Sequence, residues 1–313
     1  MAQAHTHTQA HGHAHGHAHG PGTEFDWAAL AELLELEGET HSPYVRQAIG
    51  ELADLPGLNP RRILDIGSGP GVAACSLAAA FPQAEVTAVD GTPELLARAA
   101  ERAERLGVRL RTEQAEFPAG LAGLGSADLI WSGQAVHHVG DQQGALDQLA
   151  GLLAPGGVLA VVEGGLPLRS LPRDLGFGRP GLLERMDAAQ AARFSRMRAE
   201  LPGSVALVED WPAMLRAAGL TEARSRTFLI DLPAPLAAGP RRWVRSMLER
   251  YREVLAGPPE DPQTSQSAPG LTAEDRATLD RLLDPADPAG VDRRPDLFLL
   301  TAKTVHFARR AAD

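Results

Sequence analysis

Apolar residues recur three and four positions apart from Phe25 onward, in the stretches FDWAALAELLEL and SPYVRQAIGELADL. This spacing is typical of amphipathic helices. Ser42 followed by Pro43 has the residue types of an N-cap and a first helical position, which predicts that a new helix begins there. We therefore expect residues 23–58 to form an N-terminal helical cap of two helices ahead of the first strand.

Short apolar runs alternate with helical patterns through residues 59–165. The runs RRILDIG, AEVTAVD, VRLRTEQ, ADLIWS and GGVLAVVE are predicted strands. The stretches PGVAACSLAAAF, PELLARAAERAERLG and DQQGALDQLAGLL are predicted helices between them, the second ending on Gly107. Strands separated by helices of about 10 to 15 residues form a parallel sheet, and right-handed crossovers place helices on both of its faces. The predicted fold class is α/β, with a doubly wound, mostly parallel, Rossmann-like sheet.

The alternation lapses after Glu163, where residues 164–203 are rich in Gly, Pro and Arg around one helical pattern, LLERMDAAQAARFSRMRAEL. Further helices are predicted at WPAMLRAAGL, PRRWVRSMLERYREVLA and LTAEDRATLDRLLD. In the last of these, Thr272 and Asp275 have a capping-box-like spacing. Strands are predicted at ARSRTFLIDL and PDLFLLTAKTVHFA. Residues 166–313 should therefore supply lid helices and the strands that complete the sheet.

Residues 1–22 have histidine at alternate positions from His11 to His19 and no apolar periodicity, which predicts a disordered His-rich tail. Neighbouring imidazoles on such a tail can chelate a transition metal. The alternative is a low-complexity extension, or a remnant of an expression vector, that binds metal incidentally. On that interpretation no metal is required for the main activity.

Composition argues against several classes of function and location. The net charge of −10 argues against a nucleic-acid substrate, which requires a basic face. No apolar run approaches the ~20 residues of a membrane span, and no secretory signal opens the chain. Cys75 is the only cysteine, which fits a reducing cytoplasm, and Lys303 is the only lysine. We expect a cytoplasmic protein without a nucleic-acid or membrane partner.

The stretch ILDIGSGPG places three glycines in five positions directly after the first predicted strand. Such loops hold nucleoside triphosphates, nicotinamide dinucleotides or S-adenosylmethionine. A triphosphate loop needs Lys and Ser or Thr after its last glycine, whereas Val72 and Ala73 follow Gly71. The spacing of Gly67, Gly69 and Gly71 does not separate the other two ligands, because alanine is tolerated at the third glycine of dinucleotide folds.

Three further features bear on the choice between these two ligands, and taken together they favour S-adenosylmethionine. Asp65 lies inside the strand, where dinucleotide folds usually keep an apolar residue, and its carboxylate can face the ammonium of an amino-acid ligand. Asp90 ends the second strand, where an acid holds a ribose diol in either class of ligand. The stretch LLAPGGVLAVVE is a helix stopped by Pro-Gly-Gly before a buried strand.

Over residues 60–165, ILDIGSGPG, Val89-Asp90, ADLIWSGQAVHHV and LLAPGGVLAVVE together resemble class I S-adenosylmethionine-dependent methyltransferases. The resemblance implies S-adenosylmethionine as the cofactor and a seven-stranded sheet with an antiparallel last strand. The predicted strands near Phe228 and Phe298 would be the sixth and seventh.

The residues expected to contact the cofactor lie in and after the first four strands: Asp65, Gly67, Gly69, Gly71, Asp90, Gly91, Thr92, Glu113, Gln114, Ser132 and Gly133. The resemblance implies that the loop glycines allow close backbone approach and that Asp90 accepts from the ribose hydroxyls. Gly91 and Thr92 would flank the adenine. Glu113 and Gln114 both qualify for the position near the adenine amine, while the residues after the fourth strand would line the methionine side.

Methyl transfer from a sulfonium needs a base only when the acceptor carries a proton that must leave. His137 and His138 follow the fourth strand, and one of them could take that proton. The alternative is that the pair packs and caps the turn. Glu163, which ends the fifth strand, is a comparable catalytic candidate. His41 and Tyr44 lie on the N-terminal helices, which in this family often fold over the cofactor, and Tyr44 is a candidate substrate contact.

Seven arginines against four acids lie between residues 169 and 200. One hypothesis is a basic lid that receives a carboxylate or phosphate, with Arg173 and Arg179 as substrate contacts. The alternative is a solvated helix with i,i+4 ion pairs. Helices around Trp243 and Leu279 would complete the lid or form a homodimer face.

These patterns predict a methyltransferase that acts on a small-molecule or peptide acceptor by in-line transfer, in specialised metabolism. Two alternatives stay open: an NAD(P)-dependent oxidoreductase with the same fold, and a non-catalytic cofactor- or metal-binding protein. The identity of the acceptor, the methylated atom and the oligomeric state do not follow from the sequence.

Overall fold

The structure, a computed structural model, describes residues 27–255 and 271–312. The predicted His-rich tail lies outside these residues. None of the helices within them combines the length and the apolar character that crossing a bilayer requires.

In the described residues, seven strands form one sheet in the order β3-β2-β1-β4-β5-β7-β6. Neighbouring strands from β3 to β5 pair in parallel, whereas β7 pairs antiparallel with both β5 and β6. The predicted α/β sheet, including its antiparallel last strand, is confirmed. The strands are β1 Arg62–Ile66, β2 Glu85–Asp90, β3 Arg111–Gln114, β4 Ala127–Gly133, β5 Leu153–Arg169, β6 Thr221–Leu232 and β7 Leu299–Arg309.

Helices cover both faces of the sheet. Apolar side chains of α1, α2, α3, α5, α7 and α8 pack on one face, and those of α4 and α6 pack on the other. The carboxyl ends of the parallel strands are thereby left as the edge where ligands bind in open α/β sheets. The helices are α1 Trp27–Ala53, α2 Val72–Ala80, α3 Pro93–Leu106, α4 Gln142–Gly151, α5 Leu182–Glu200, α6 Trp211–Ala217, α7 Ala238–Leu255 and α8 Ala273–Leu283.

Two predicted helix ends are confirmed. Gly107 has a left-handed backbone (φ 65°) and its N–H closes the last turn of α3, a conformation that glycine adopts without a Cβ penalty. Thr272 and Asp275 form a complete capping box at the start of α8.

The prediction of two N-terminal helices is wrong, because α1 is continuous and contains Pro43 in its interior. Proline within a helix removes one hydrogen bond and costs about 3 kcal/mol. Side-chain contacts along the helix offset that cost: Arg102 of α3 donates to Glu35 (2.7 Å) and to Glu39 (2.8 Å). Residues such as Leu52 are fully buried in the core. Ser42 therefore lies inside a helix, where its hydroxyl accepts from the guanidinium of Arg46 (2.8 Å).

The prediction that the fifth strand ends at Glu163 is also wrong. Strand β5 continues to Arg169 and pairs with β7, with Gly165 opposite Lys303 and Leu166 opposite Ala302. The register shifts between Val162 and Gly165, which allows the glycine-rich segment to stay in the sheet. The pairing partner lies more than a hundred residues away in the sequence, so local composition does not reveal it.

Candidate active site

A cavity opens at the carboxyl edge of the sheet between the glycine loop and α1. Its walls include Asp65 and Gly67 from β1 and the loop, Trp131 and Gly133 from the end of β4, and Tyr44 from α1. The structure therefore brings together predicted residues from three separate parts of the sequence.

The three loop glycines have left-handed backbones, with φ of 70°, 52° and 74° at Gly67, Gly69 and Gly71. A Cβ at Gly67 would lie 2.6 Å from the Cβ of Ala135, and one at Gly71 would lie 2.6 Å from the Cβ of Ala99. A Cβ at Gly69 would meet no described atom within 4 Å. Gly67 and Gly71 are thus required by the packing of the protein itself, whereas Gly69 borders open space.

Asp90 holds the glycine loop in place. Its carboxylate accepts from the N–H of Gly69 and from the N–H of Thr92, each at 2.9 Å. A carboxylate offers about four lone-pair positions, so about two stay available for ligand hydroxyls. The sequence alone did not predict this positioning of the loop by Asp90.

Asp65 is almost fully buried (1% exposed), and its Oδ2 has no hydrogen-bond partner among the described residues. Burial, opposed by a backbone hydrogen bond from Ala74 and helped by the nearby charge of Asp90, raises the pKa of this carboxyl to about 7. An unpaired buried carboxylate is unfavourable unless a cation or donor approaches it. The chemistry of the site therefore fits an ammonium group.

His137, which follows β4, forms a hydrogen-bonded pair with Glu163 of β5. The Nδ1 of His137 lies 2.7 Å from Glu163 Oε2, and the backbone N–H of His137 donates to Oε1 at 3.2 Å. With Nδ1–H donating to the carboxylate, Nε2 carries the free lone pair of the neutral ring. The ring of His138 stands 4.1 Å away, centroid to centroid. Two of the catalytic candidates are thus joined, with the geometry of a base and its orienting acid.

Helix α5 packs on this pair. Arg198 donates to the backbone oxygens of His137 (2.9 Å) and Val139 (2.5 Å). The ring of Phe194 lies 5.5 Å from that of His137. The loop after β4 is therefore held from the lid side as well as from β5.

On the side expected to hold adenine, Gln114 lies opposite Asp90 in the sheet and donates to the backbone oxygen of Gly91 (3.1 Å). Glu113 is exposed on β3. The Glu116 carboxylate lies where a Cβ on Gly91 would meet it at 2.8 Å, a contact that sequence reasoning missed. The adenine contacts of these residues stay predictions.

Sequence reasoning named His41 and Tyr44 on the α1 wall but missed Glu37 and Gly38. These residues line the cavity at helical spacing, and the predicted break at Ser42 divided that face. Gln134 lines it too and has a rare positive φ of 55°, a strain that clusters at functional sites.

Burial sets the protonation of the aromatic groups on α1. It lowers the pKa of His41 to about 3, with the Lys303 charge contributing, so this ring is neutral. The His41 ring packs edge-on against Trp243 at 4.7 Å between centroids. Burial likewise raises the pKa of Tyr44 well above its usual range, and its hydroxyl stays protonated.

The two arginines predicted to contact substrate do not line this cavity in the described structure. The guanidinium of Arg179 lies 3.3 Å from Asp275, and Arg185 shares the same carboxylate at 2.6 Å. Arg173 is exposed. Intramolecular ion pairs therefore join the segment after β5 to α8, and the anion-binding role of Arg173 and Arg179 stays a prediction.

Within residues 27–255 and 271–312, no three His, Cys, Asp or Glu side chains are grouped so that they could hold a metal ion.

Comparisons with known proteins agree with this geometry. A family model described as a methyltransferase domain matches residues 63–157. A trans-aconitate 2-methyltransferase of Methylobacterium nodulans is 31% identical over 89% of this chain and 99% of its own length. One of Methylobacterium radiotolerans is 36% identical over 49% of this chain and 58% of its own length. A release factor glutamine methyltransferase of Bordetella pertussis is 36% identical over 57% of this chain and 60% of its own length.

The matched methyltransferase domain contains the glycine loop and both buried aspartates, and the similarity to the Methylobacterium nodulans relative extends over nearly the whole chain. The chain belongs to the class I S-adenosylmethionine-dependent methyltransferases.

Proposed function

We propose that the chain transfers a methyl group from S-adenosylmethionine to a small-molecule acceptor. The observation that carries this proposal is the cavity itself, where Asp65 of β1 and the α1 residues Tyr44 and His41 are each less than a tenth exposed. A small acid or amine fits a cavity with such buried walls better than an extended peptide does. The relative that covers nearly the whole chain is named for a small organic acid, which supports the same choice.

The residues present fit the cofactor. The unpartnered oxygen of Asp65 would accept from its ammonium, and the lone pairs left on Asp90 would accept from its ribose hydroxyls. The open side of Gly69 leaves room beside the loop backbone. When bound, S-adenosylmethionine supplies an electrophilic methyl group on its sulfonium.

The chain's own contribution to the reaction is alignment, exclusion of water and proton transfer. For an acceptor that carries a proton, Nε2 of His137 would take it, while the Glu163 carboxylate keeps the ring in the required tautomer and stabilises the imidazolium. We also place the reaction in a reducing compartment, since Cys75 is a buried free thiol.

The test is methyl transfer from cofactor labelled in the methyl group. Small carboxylic acids, including trans-aconitate, and small amines form one panel, and unstructured peptides form the other. We expect label in a small-molecule product, and we expect His137→Gln to lower kcat about 10²- to 10⁴-fold without weakening S-adenosylhomocysteine binding. Label that appears only in the peptides would refute the small-molecule assignment.

A further inference from the structure

Lys303 is the only lysine in a chain whose other permanent cations are arginines. It lies on β7, opposite Gly165 of β5 and Phe228 of β6, at the same edge of the sheet as the end of β5. In the described residues its ammonium makes neither a hydrogen bond nor an ion pair. A half-buried cation without a partner is unfavourable, so its surroundings call for explanation.

The side chain of Lys303 points toward α1. Alternate residues of a strand share a face, so Lys303 lies on the same face as Val305 and Phe307, which pack with residues of α1 and α7. Electrostatic interactions with Glu37 and His41 of α1 place the ammonium near two residues that line the cavity.

The residue of β5 that lies opposite this lysine has no side chain. This residue is Gly165, where a Cβ would lie 2.0 Å from the backbone oxygen of Ala302, so no side chain can occupy that position. Gly164 precedes it, and Glu163, the partner of His137, comes immediately before. Two glycines therefore connect Glu163 to the strand position opposite Lys303, and Lys303 interacts electrostatically with Glu163.

The charges nearby limit what can bind there. Glu37 and Glu163 both attract Lys303, but from beyond ion-pair distance. One ammonium balances one negative charge, whereas a doubly charged phosphate would leave excess negative charge close to two carboxylates. A singly charged carboxylate is the better match, and burial, which lowers the pKa of Lys303, adds to the gain from such a partner.

We infer that Lys303 forms a subsite that receives a carboxylate group of the methyl acceptor and so selects acidic acceptors. This inference rests on the proposed function, because it assigns a recognition group to the small molecule that is methylated. Lys303 acts in binding and takes no part in proton transfer.

The sole lysine makes a direct spectroscopic test available. Reductive methylation with ¹³C-formaldehyde labels Lys303 and the N-terminal amine, and the dimethylated lysine keeps its charge. Lys303→Arg identifies the remaining N-terminal signal. The labelled protein, saturated with S-adenosylhomocysteine, is titrated with trans-aconitate and other small carboxylic acids, with their neutral methyl esters, and with inorganic phosphate.

We expect at least one acid to shift the Lys303 signal and to raise the pKa read from it, while its ester has no effect. Phosphate should act more weakly than the acid. Absence of any shift by the acids below about 50 mM, an equal shift by the ester, or a stronger response to phosphate would overturn the assignment to a carboxylate.

Variants supply the second measurement. Lys303→Met should raise the KM of the acidic acceptor about 10- to 100-fold and change kcat little. Lys303→Arg keeps the positive charge, so its KM should lie between those of Lys303→Met and the wild-type protein. Arg226→Met is the matched control, because it removes one positive charge from the same face of the neighbouring strand, where Arg226 pairs with Glu51 (3.2 Å). An unchanged KM in Lys303→Met would refute the subsite. Failure of S-adenosylhomocysteine to bind the wild-type protein would instead refute the proposed function.

Discussion

Asp65 and Asp90 are both buried beside the glycine loop, yet their carboxylates have different surroundings. Asp90 accepts two backbone N–H groups, whereas one oxygen of Asp65 has no partner in the described structure. Asp90 is therefore stabilised in the free protein. The Asp65 carboxylate is stabilised only when a donor occupies the cavity. It therefore lowers the stability of the free protein and contributes to ligand binding.

Replacing Asp65 with asparagine should show how much this carboxylate lowers the stability of the free protein. Because the folded-state pKa is about 7 against an ordinary 3.8, the folded protein keeps a proton between about pH 4 and pH 7 that the unfolded chain has released. The free energy of unfolding thus falls as pH rises through that window. Between pH 4 and pH 8, the free energy of unfolding of Asp65→Asn should rise relative to that of the wild-type protein by on the order of 1 to 4 kcal/mol.

Urea unfolding at a series of pH values measures this gain, and calorimetry should show weaker binding of S-adenosylhomocysteine to the same variant. A difference in stability that does not vary with pH would show that Asp65 ionises normally in the free protein.

The loop glycines provide a matched pair of alanine substitutions. Gly71→Ala combines a left-handed backbone with a 2.6 Å contact to Ala99, so it should destabilise the fold by about 2 to 5 kcal/mol. Gly69→Ala has only the backbone penalty of about 1 kcal/mol but places a methyl group in ligand space. We expect it to retain most of the stability and to lose S-adenosylhomocysteine affinity at least tenfold. Normal affinity in Gly69→Ala would mean that the cofactor does not approach this residue.

At the scale of elements, α1 is the part that covers the site. One of its faces lines the cavity with Glu37, His41 and Tyr44. Another face is anchored to α3 by the carboxylate of Glu35. A break at Pro43 would separate Tyr44 from Glu37 and His41 and from this anchor, so the continuity of the helix contributes to the geometry of the site.

Substitutions at the predicted helix junction distinguish one helix from two. Pro43→Ala should stabilise the protein by about 1 to 2 kcal/mol, because a regained helical hydrogen bond outweighs the greater freedom of the unfolded chain. Ser42→Ala should change stability little, since Ser42 caps no helix. Chemical denaturation measures both. A loss of about 1 kcal/mol in Ser42→Ala would be the mark of an N-cap and would favour two helices.

At the scale of the whole molecule, the sheet separates two apolar clusters, and the cofactor loop packs against residues that follow β4 as well as against α3. Gly67 contacts Ala135 beyond β4, and Gly71 contacts Ala99 of α3. A ligand that bridges loops from several strands adds its binding energy to the stability of the entire fold.

S-Adenosylhomocysteine should therefore raise the unfolding temperature. At 100 times its Kd, it adds about 2.7 kcal/mol to the free energy of unfolding. Thermal unfolding with and without ligand measures the shift, and NADH at the same concentration is the control. An equal shift with NADH would contradict selective recognition of the methyl donor.

The sequence by itself determined the order and type of most elements, because helical and strand periodicities and the glycine turns are local properties. The cofactor class followed for the same reason, since Asp65, Gly69 and Asp90 belong to short motifs beside those elements. Only the tertiary structure decided that α1 passes through Pro43, and that Asp275, 96 residues from Arg179, pairs with that arginine.

It also decided that β5 continues beyond Glu163 along β7, which places Lys303 beside Gly165. These outcomes depend on partners far apart in the chain. Packing and pairing free energies of several kcal/mol outweigh the local preferences of about 1 kcal/mol per residue that a sequence pattern expresses.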